Sequence, residues 1–224
     1  MIHVIGDSHV NFFHGHDGAW VSPWFEAREP KRLTSEDGRF SCYTISARLA
    51  YTVGKPDALG WIKEIVSQHA KPGDALMFAL GEIDSRCHLP QRRWQYGGAE
   101  PAIASLCDHY VHALLDIRDT IKLPVWVYGP VASTNIYDVG DHYYDTVGSE
   151  QERNVLIDGL TKYLADLCRR RGLGFVSIFK HLVNVDWTVN RQYWIDSVHI
   201  GHSAWSLFEQ EWKLAQSQQP VSPV

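Results

Sequence analysis

Several features that this chain lacks narrow its class before any motif is read. No run approaches the ~18 uncharged apolar residues that a bilayer-spanning helix requires, since even DALMFALGEI at 74–83 is bounded by acids, so no membrane role is expected. Basic residues are the minority. With 21 Lys and Arg against 26 Asp and Glu, the formal net charge of -5 keeps the protein dispersed and argues against a general nucleic-acid footprint. The four cysteines, Cys42, Cys87, Cys107 and Cys168, are far apart and form no CxxC, which speaks against a thiolate metal site and for buried free thiols. A glycine-rich phosphate loop and a dinucleotide fingerprint are also missing, so no cofactor is expected. The opening residues MIHVIGDSH hold no basic leader, no apolar signal core and no small-residue cleavage site, and a cytoplasmic location is the expectation.

What is present is material for one core. A chain of 224 residues with 45% hydrophobic side chains fits a single domain, expected over 1–215, followed by a flexible tail at 216–224 whose sequence QSQQPVSPV has two prolines and little apolar content. Short apolar runs at 2–5, 74–80, 124–129 and 173–179 read as strands covered on both faces. Helical patterns lie between them. Leu59, Ile62, Ile65 and Val66 define a helix over 58–70 that Lys71-Pro72-Gly73 stops, and a second runs from Pro101 to about Lys122. A third, over 149–171, ends on Arg169-Arg170-Arg171 before Gly172, where cations favour the helix dipole. A last helix is expected over 203–216. The alternation predicts an α/β fold, a three-layer α/β/α sandwich on a mainly parallel sheet. Two stretches, 10–40 and 130–148, break it with aromatic, histidine and charged residues, and read as decorated loops at strand ends, where such sheets keep their binding groups.

The residues that suggest chemistry stand near opposite ends of the chain. Ser8 follows the first strand in Gly6-Asp7-Ser8-His9, so its hydroxyl lies at the carboxyl edge of the sheet. Serine is a poor nucleophile at neutral pH and needs an imidazole base held by a carboxylate. The run YWIDSVHIG offers both. Asp196 and His199 are three positions apart, a spacing at which one turn of chain lets the carboxylate meet the ring while the ring points away to Ser8. If the last strand lay beside the first, the loop leaving it would arch over Ser8.

These blocks resemble the SGNH (GDSL-like) hydrolase family, whose first block GDS is matched by Gly6, Asp7 and Ser8 and whose final DxxH is matched by Asp196 to His199. The resemblance implies a flavodoxin-like fold and an ester hydrolase in which serine attacks, histidine takes its proton and aspartate orients the histidine. It also implies an oxyanion hole built from the serine N–H, a glycine of a second block, here Gly54, and an asparagine of a third block. This chain departs at the third block. It reads Gly81-Glu82-Ile83-Asp84, and isoleucine cannot donate to an oxyanion, a loss of ~3 kcal/mol of transition-state stabilisation unless another group substitutes. The continuation GEIDSRCH resembles a GEIDxR form of that block seen in SGNH-like proteins of bacterial glycan and capsule gene neighbourhoods. Arg86 and His88 are the candidate replacement donors, with Glu82 or Asp84 holding Arg86, and His9 beside the nucleophile joins the oxyanion and substrate-binding candidates.

Trp20, Trp24, Arg92, Arg93 and Trp94 form a possible substrate loop, the tryptophans for stacking and the arginines for an anionic group. His9, His14, His16 and Asp17 fit no standard zinc spacing, and no metal is expected. Three functions are carried forward: a serine esterase or acyl-transfer enzyme acting on a small or carbohydrate-linked ester such as O-acetyl, a non-catalytic glycan-binding or assembly protein of the same fold, and a metal-dependent phosphoesterase using Asp7, His9, His181, His199 and His202. The expected partner is a small-molecule or glycan ester, and the oligomeric state is open.

Overall fold

The computed structural model describes residues 1–15, 32–45, 48–135 and 146–218. Its centre is a six-stranded sheet of β1 (Ile2–Gly6), β2 (Arg32–Thr34), β3 (Phe40–Thr44), β4 (Ala75–Ala79), β5 (Val125–Tyr128) and β6 (Gly174–Val176), in the order β2-β3-β1-β4-β5-β6. Five strands are parallel, and β2 joins the edge antiparallel to β3. The helices are α1 (Pro56–His69), α2 (Leu89–Arg92), α3 (Ala99–Ile121), α4 (Glu150–Arg171), α5 (Phe179–Leu182) and α6 (Trp205–Gln218).

The apolar strand runs have the physical cause expected of them. Successive residues enter opposite cores: Ile5, Phe78 and Val127 face α1, α3 and α4, while Val4, Met77 and Trp126 face the other layer, where α5, α6 and the turn after β1 pack. The result is the three-layer α/β/α sandwich that the alternation predicts. Helix α4 ends as the sequence signals, on the basic triplet and a left-handed Gly172, and it begins on a capping box between Ser149 and Glu152 that the sequence reading did not identify.

Taken in chain order, the parallel strands lie 2-1-3-4-5, the flavodoxin-like arrangement, with the switch point between β1 and β4. The strands approach closely there: a β-carbon on Gly6 would fall 2.1 Å from the Ala79 carbonyl oxygen, so only glycine fits.

Three expectations need correction. The stretch 10–40 contains β2, and β3 begins at its end, because Leu33 and Phe40–Tyr43 supply enough apolar surface to cover the open side of β1. The last strand is not beside the first. β4 and β5 separate β6 from β1, so the segment after β6 must travel back across the sheet edge to reach Ser8. Finally, α6 runs to Gln218, since Phe208 and Trp212 anchor it and the polar turn after Ala215 still continues its hydrogen bonding, so the tail expected from 216 begins inside the helix. All four cysteines are buried free thiols, and among the described residues no helix is long and apolar enough to cross a membrane.

Candidate active site

Ser8 opens a tight 3-10 turn, Ser8–Phe13, directly after β1. Asp7 stays extended, and its Oδ1 accepts the His9 backbone N–H at 3.0 Å, capping the turn. Val10, Phe12 and Phe13 are buried beneath it, with Phe13 packed against Phe40, Tyr128 and Phe208. A rigid apolar underside thus fixes a half-buried serine at the carboxyl edge of the sheet.

The Asp196–His199 segment is closed by an antiparallel bridge between Trp194 and Ile200. Asp196 Oδ1 accepts the backbone N–H groups of Val198 and His199 at 2.7 and 2.6 Å, and its Oδ2 accepts His199 Nδ1–H at 2.8 Å. The other ring nitrogen, His199 Nε2, lies 2.7 Å from Ser8 Oγ. With Nδ1 donating to Asp196, the Nε2 lone pair is free to accept the serine proton. Burial opposes the charge on Asp196, but the bonds from His199 and the two backbone N–H groups prevail and hold its carboxyl well below the usual range. The side chains of His199 and Asp196 keep 28% and 37% exposure, so the pair is reachable from solvent.

His9 has the opposite setting. It is buried, with Nδ1 3.0 Å from Asp7 Oδ1 and Nε2 3.2 Å from the Val198 carbonyl oxygen, and its ring centroid is 5.0 Å from that of His199. Both nitrogens face acceptors, which suits the doubly protonated ring. Burial works against that charge, yet the Asp7 carboxylate and its hydrogen bond, Glu82 and the Val198 carbonyl together raise the ring to about 9. A buried imidazolium therefore ties the Ser8 turn to the loop that carries His199.

The third block follows β4. Gly81 takes φ +106, a left-handed turn open to glycine, and Asp84–His88 form one π-helical turn. Arg86 is buried, and its Nε and Nη2 donate to the two carboxylate oxygens of Glu82, so its fork is committed there. Asp84 Oδ2 accepts the Ala50 N–H at 2.7 Å, and burial pushes this carboxyl up to about 7 against the bonds from Ala50 and Tyr51. Ile83 is buried and offers no donor. Gly54 sits at the surface, packed on Ala113 of α3. His88, Arg92 and Arg93 line a hollow next to this block, whereas Trp94 is 71% exposed, its Nε1 donating to the Gln91 carbonyl. Trp20 and Trp24 lie outside the described residues. Of the histidines in the phosphoesterase reading, His9 and His199 stand side by side, but His181 pairs with Glu211 and His202 stacks on Trp205.

Sequence reasoning missed the support behind the His199 loop. Thr134, after β5, donates through Oγ1 to the Ser197 carbonyl. Buried Arg153 of α4 donates to Ser133 Oγ, the Gly148 carbonyl and the Thr134 carbonyl, and Asn154 binds the Ser133 backbone and the Trp187 carbonyl. The available signal was positional. Arg153 and Asn154 stand one turn before Leu156 and Ile157 on the inward stripe of α4, where a polar pair must be satisfied internally.

No family model matches the sequence, and no curated protein is similar to it. Solved structures do match. A GDSL-like lipase from Bacteroides thetaiotaomicron aligns at 14% identity and TM-score 0.57, covering 97% of this chain and 87% of that one. The chain has the fold of the SGNH (GDSL-like) hydrolases. A Bacteroides fragilis protein assigned as an acylhydrolase gives 14% identity and TM-score 0.59 over 97% of this chain and 86% of its own. An acetyl-xylooligosaccharide esterase from Geobacillus gives 12% and 0.54, over 100% and 96%. Each of these SGNH-fold similarities extends across almost the whole domain.

Proposed function

We propose that this protein is a serine ester hydrolase of the SGNH family acting on a small or carbohydrate-linked ester such as an O-acetyl group. The observation that carries the reading is the unbroken relay from Ser8 Oγ to His199 Nε2 at 2.7 Å and from His199 Nδ1 to Asp196 Oδ2 at 2.8 Å. In this mechanism the Ser8 oxygen attacks the ester carbonyl carbon while His199 Nε2 takes the hydroxyl proton. The resulting imidazolium is stabilised by Asp196. Collapse of the tetrahedral adduct breaks the ester C–O bond, and His199 returns the proton to the departing alkoxide. Water, deprotonated by the same nitrogen, then cleaves the acyl-serine and restores the free hydroxyl.

The oxyanion is served in this reading by the Ser8 backbone N–H, with the buried positive charge of His9 on the adjacent residue adding electrostatic support in place of the donor that Ile83 cannot give. Arg86 is assigned a positioning role, holding Glu82 beside His9. The carbohydrate part rests on the likeness to the acetyl-xylooligosaccharide esterase and on the many tryptophans in the sequence. Activity on a chromogenic acetyl ester, abolished by Ser8→Ala, and labelling at Ser8 by an organophosphonate are the expected results. Undiminished turnover in Ser8→Ala would exclude the nucleophile, and a properly folded wild-type chain that neither hydrolyses nor labels would favour the non-catalytic glycan-binding reading.

A further inference from the structure

One strand over from Ser8, the turn around Tyr51, the π-turn at Asp84–His88 and the start of α3 enclose a hollow of about 70 Å³. Its proximity to the triad follows from the topology: β1 and β4 are neighbours, and Asp7 is near enough to Asp84 for its charge to help raise that carboxyl. The triad uses none of the groups on its wall. Tyr51, Asp84, His88, Arg92, Arg93 and Tyr96 are the polar ones.

Their chemistry is uneven in a way that selects a ligand. Arg92 and Arg93 take part in no ion pair among the described residues. The carboxylate whose field reaches Arg93 is Glu152, which is occupied by the Ser149 cap of α4. Burial and the charge of Arg92 lower the His88 ring below its usual range, so it adds no competing positive charge of its own beside the arginines. Asp84 is the one acid on the wall, and burial raises its carboxyl to about 7, which weakens its repulsion of an incoming carboxylate compared with an ordinary aspartate.

The lining completes the selection: with both arginines on its wall, the hollow suits a small anionic group such as a carboxylate. A ring bearing that carboxylate would lie outside, over Tyr51 and Tyr96, which stand at the rim 45% and 43% exposed. A guanidinium fork suits a planar carboxylate. We propose that this hollow is the subsite for the carboxylate of an acidic sugar, which makes the substrate an acylated uronic-acid glycan; the ester half of that statement rests on the hydrolase reading above.

Binding and turnover test the two halves separately. Glucuronate is titrated into the Ser8→Ala protein by calorimetry, with glucose as the neutral control, and the same titration is run with Arg92→Gln and Arg93→Gln added. Saturable glucuronate binding, absent for glucose and weakened roughly tenfold or more by the arginine replacements, is the expected result. Wild-type protein should also prefer O-acetylated glucuronate over O-acetylated glucose in kcat/KM by about tenfold, a ratio that shrinks with added salt and in the arginine variants. Failure of glucuronate to bind, or binding that ignores both arginines in variants with unchanged melting curves, overturns the subsite. Equal turnover of both esters with no glucuronate binding overturns it while leaving the esterase standing. Glucuronate binding without hydrolysis of either ester supports the subsite and removes the esterase.

Discussion

Two Asp–His pairs lie side by side at the sheet edge, and their differences are more instructive than their likeness. In each, a carboxylate accepts from an imidazole Nδ1, Asp7 from His9 at 3.0 Å and Asp196 from His199 at 2.8 Å, and the two rings are 5.0 Å apart. The second nitrogen separates them. His9 Nε2 meets a backbone carbonyl, which can only accept, and the ring is sealed from water, so its protons are locked in place. His199 Nε2 meets a hydroxyl, which can both donate and accept, and the ring stays reachable, so its proton can come and go. An Asp–His pair becomes a base or a fixed cation according to its third partner and its burial, not its own chemistry.

The comparison can be broken from the His199 side first. Asp196→Asn removes the acceptor that fixes the tautomer and should lower kcat by about 10⁴-fold, with a modest fall in melting temperature because the pair is partly exposed. Comparable kcat values in steady-state assays would show that the relay is idle. On the other side, His9→Phe keeps a ring but deletes the charge and both bonds. It should cost both kcat, by roughly a hundredfold, and stability, since Asp7 is left buried without its cation. A variant that loses stability but keeps its kcat once folded would reduce His9 to a structural tie.

Acid and alkali sharpen the contrast. His9 is raised above its ordinary 6.5 to about 9, so the stability it contributes is complete below pH 6.5 and is lost as pH climbs toward 9, on the order of a few kcal/mol across that window. Asp196 is depressed, so its contribution is present above its ordinary value near 3.8 and disappears as pH falls further below it. Urea midpoints measured from acid to pH 10 should therefore fall at both ends, and in His9→Phe the alkaline fall between 6.5 and 9 should flatten. An unchanged alkaline limb would show that another group causes it. The smallest effect expected is at Arg86→Lys, which keeps the charge near Glu82 but loses the fork; kcat should drop about tenfold on neutral and anionic esters alike. A rise in KM confined to anionic esters would instead make Arg86 a substrate contact.

Much of this was legible in the chain itself because it rests on local rules. The strand runs at β1, β4 and β5 are apolar at every step, and the spacing of Asp196 and His199 is what one turn of chain requires. What stayed hidden was non-local. The β2–β3 hairpin carries Ser35, Glu36, Asp37 and Gly38 between its strands and looks like loop until β1 offers it an edge. Nothing in the sequence says that β6 ends on the far side of the sheet. Arg153 and Asn154 resemble ordinary solvated helix residues, and only the loops that fold onto them make them internal. The role of Arg86 turned on a partner four residues away that was visible in the sequence but equally compatible with a free guanidinium.

The path of the chain from β6 back to β1 also bears on the order in which the protein is made. Ser8 and His199 touch although 191 positions separate them. At ~5–20 residues per second of synthesis, the serine leaves the ribosome roughly 10–40 s before its base exists. During that interval Ser8 is an alcohol like any other. The sheet is already complete at Val176, but α6 and the His199 loop are still to come, so a chain halted between β6 and Trp194 should be silent toward an organophosphonate, whereas one continued through α6 should label. On the proposed mechanism, reactivity is conferred by the last segment, and arrival of that segment is what turns the serine on.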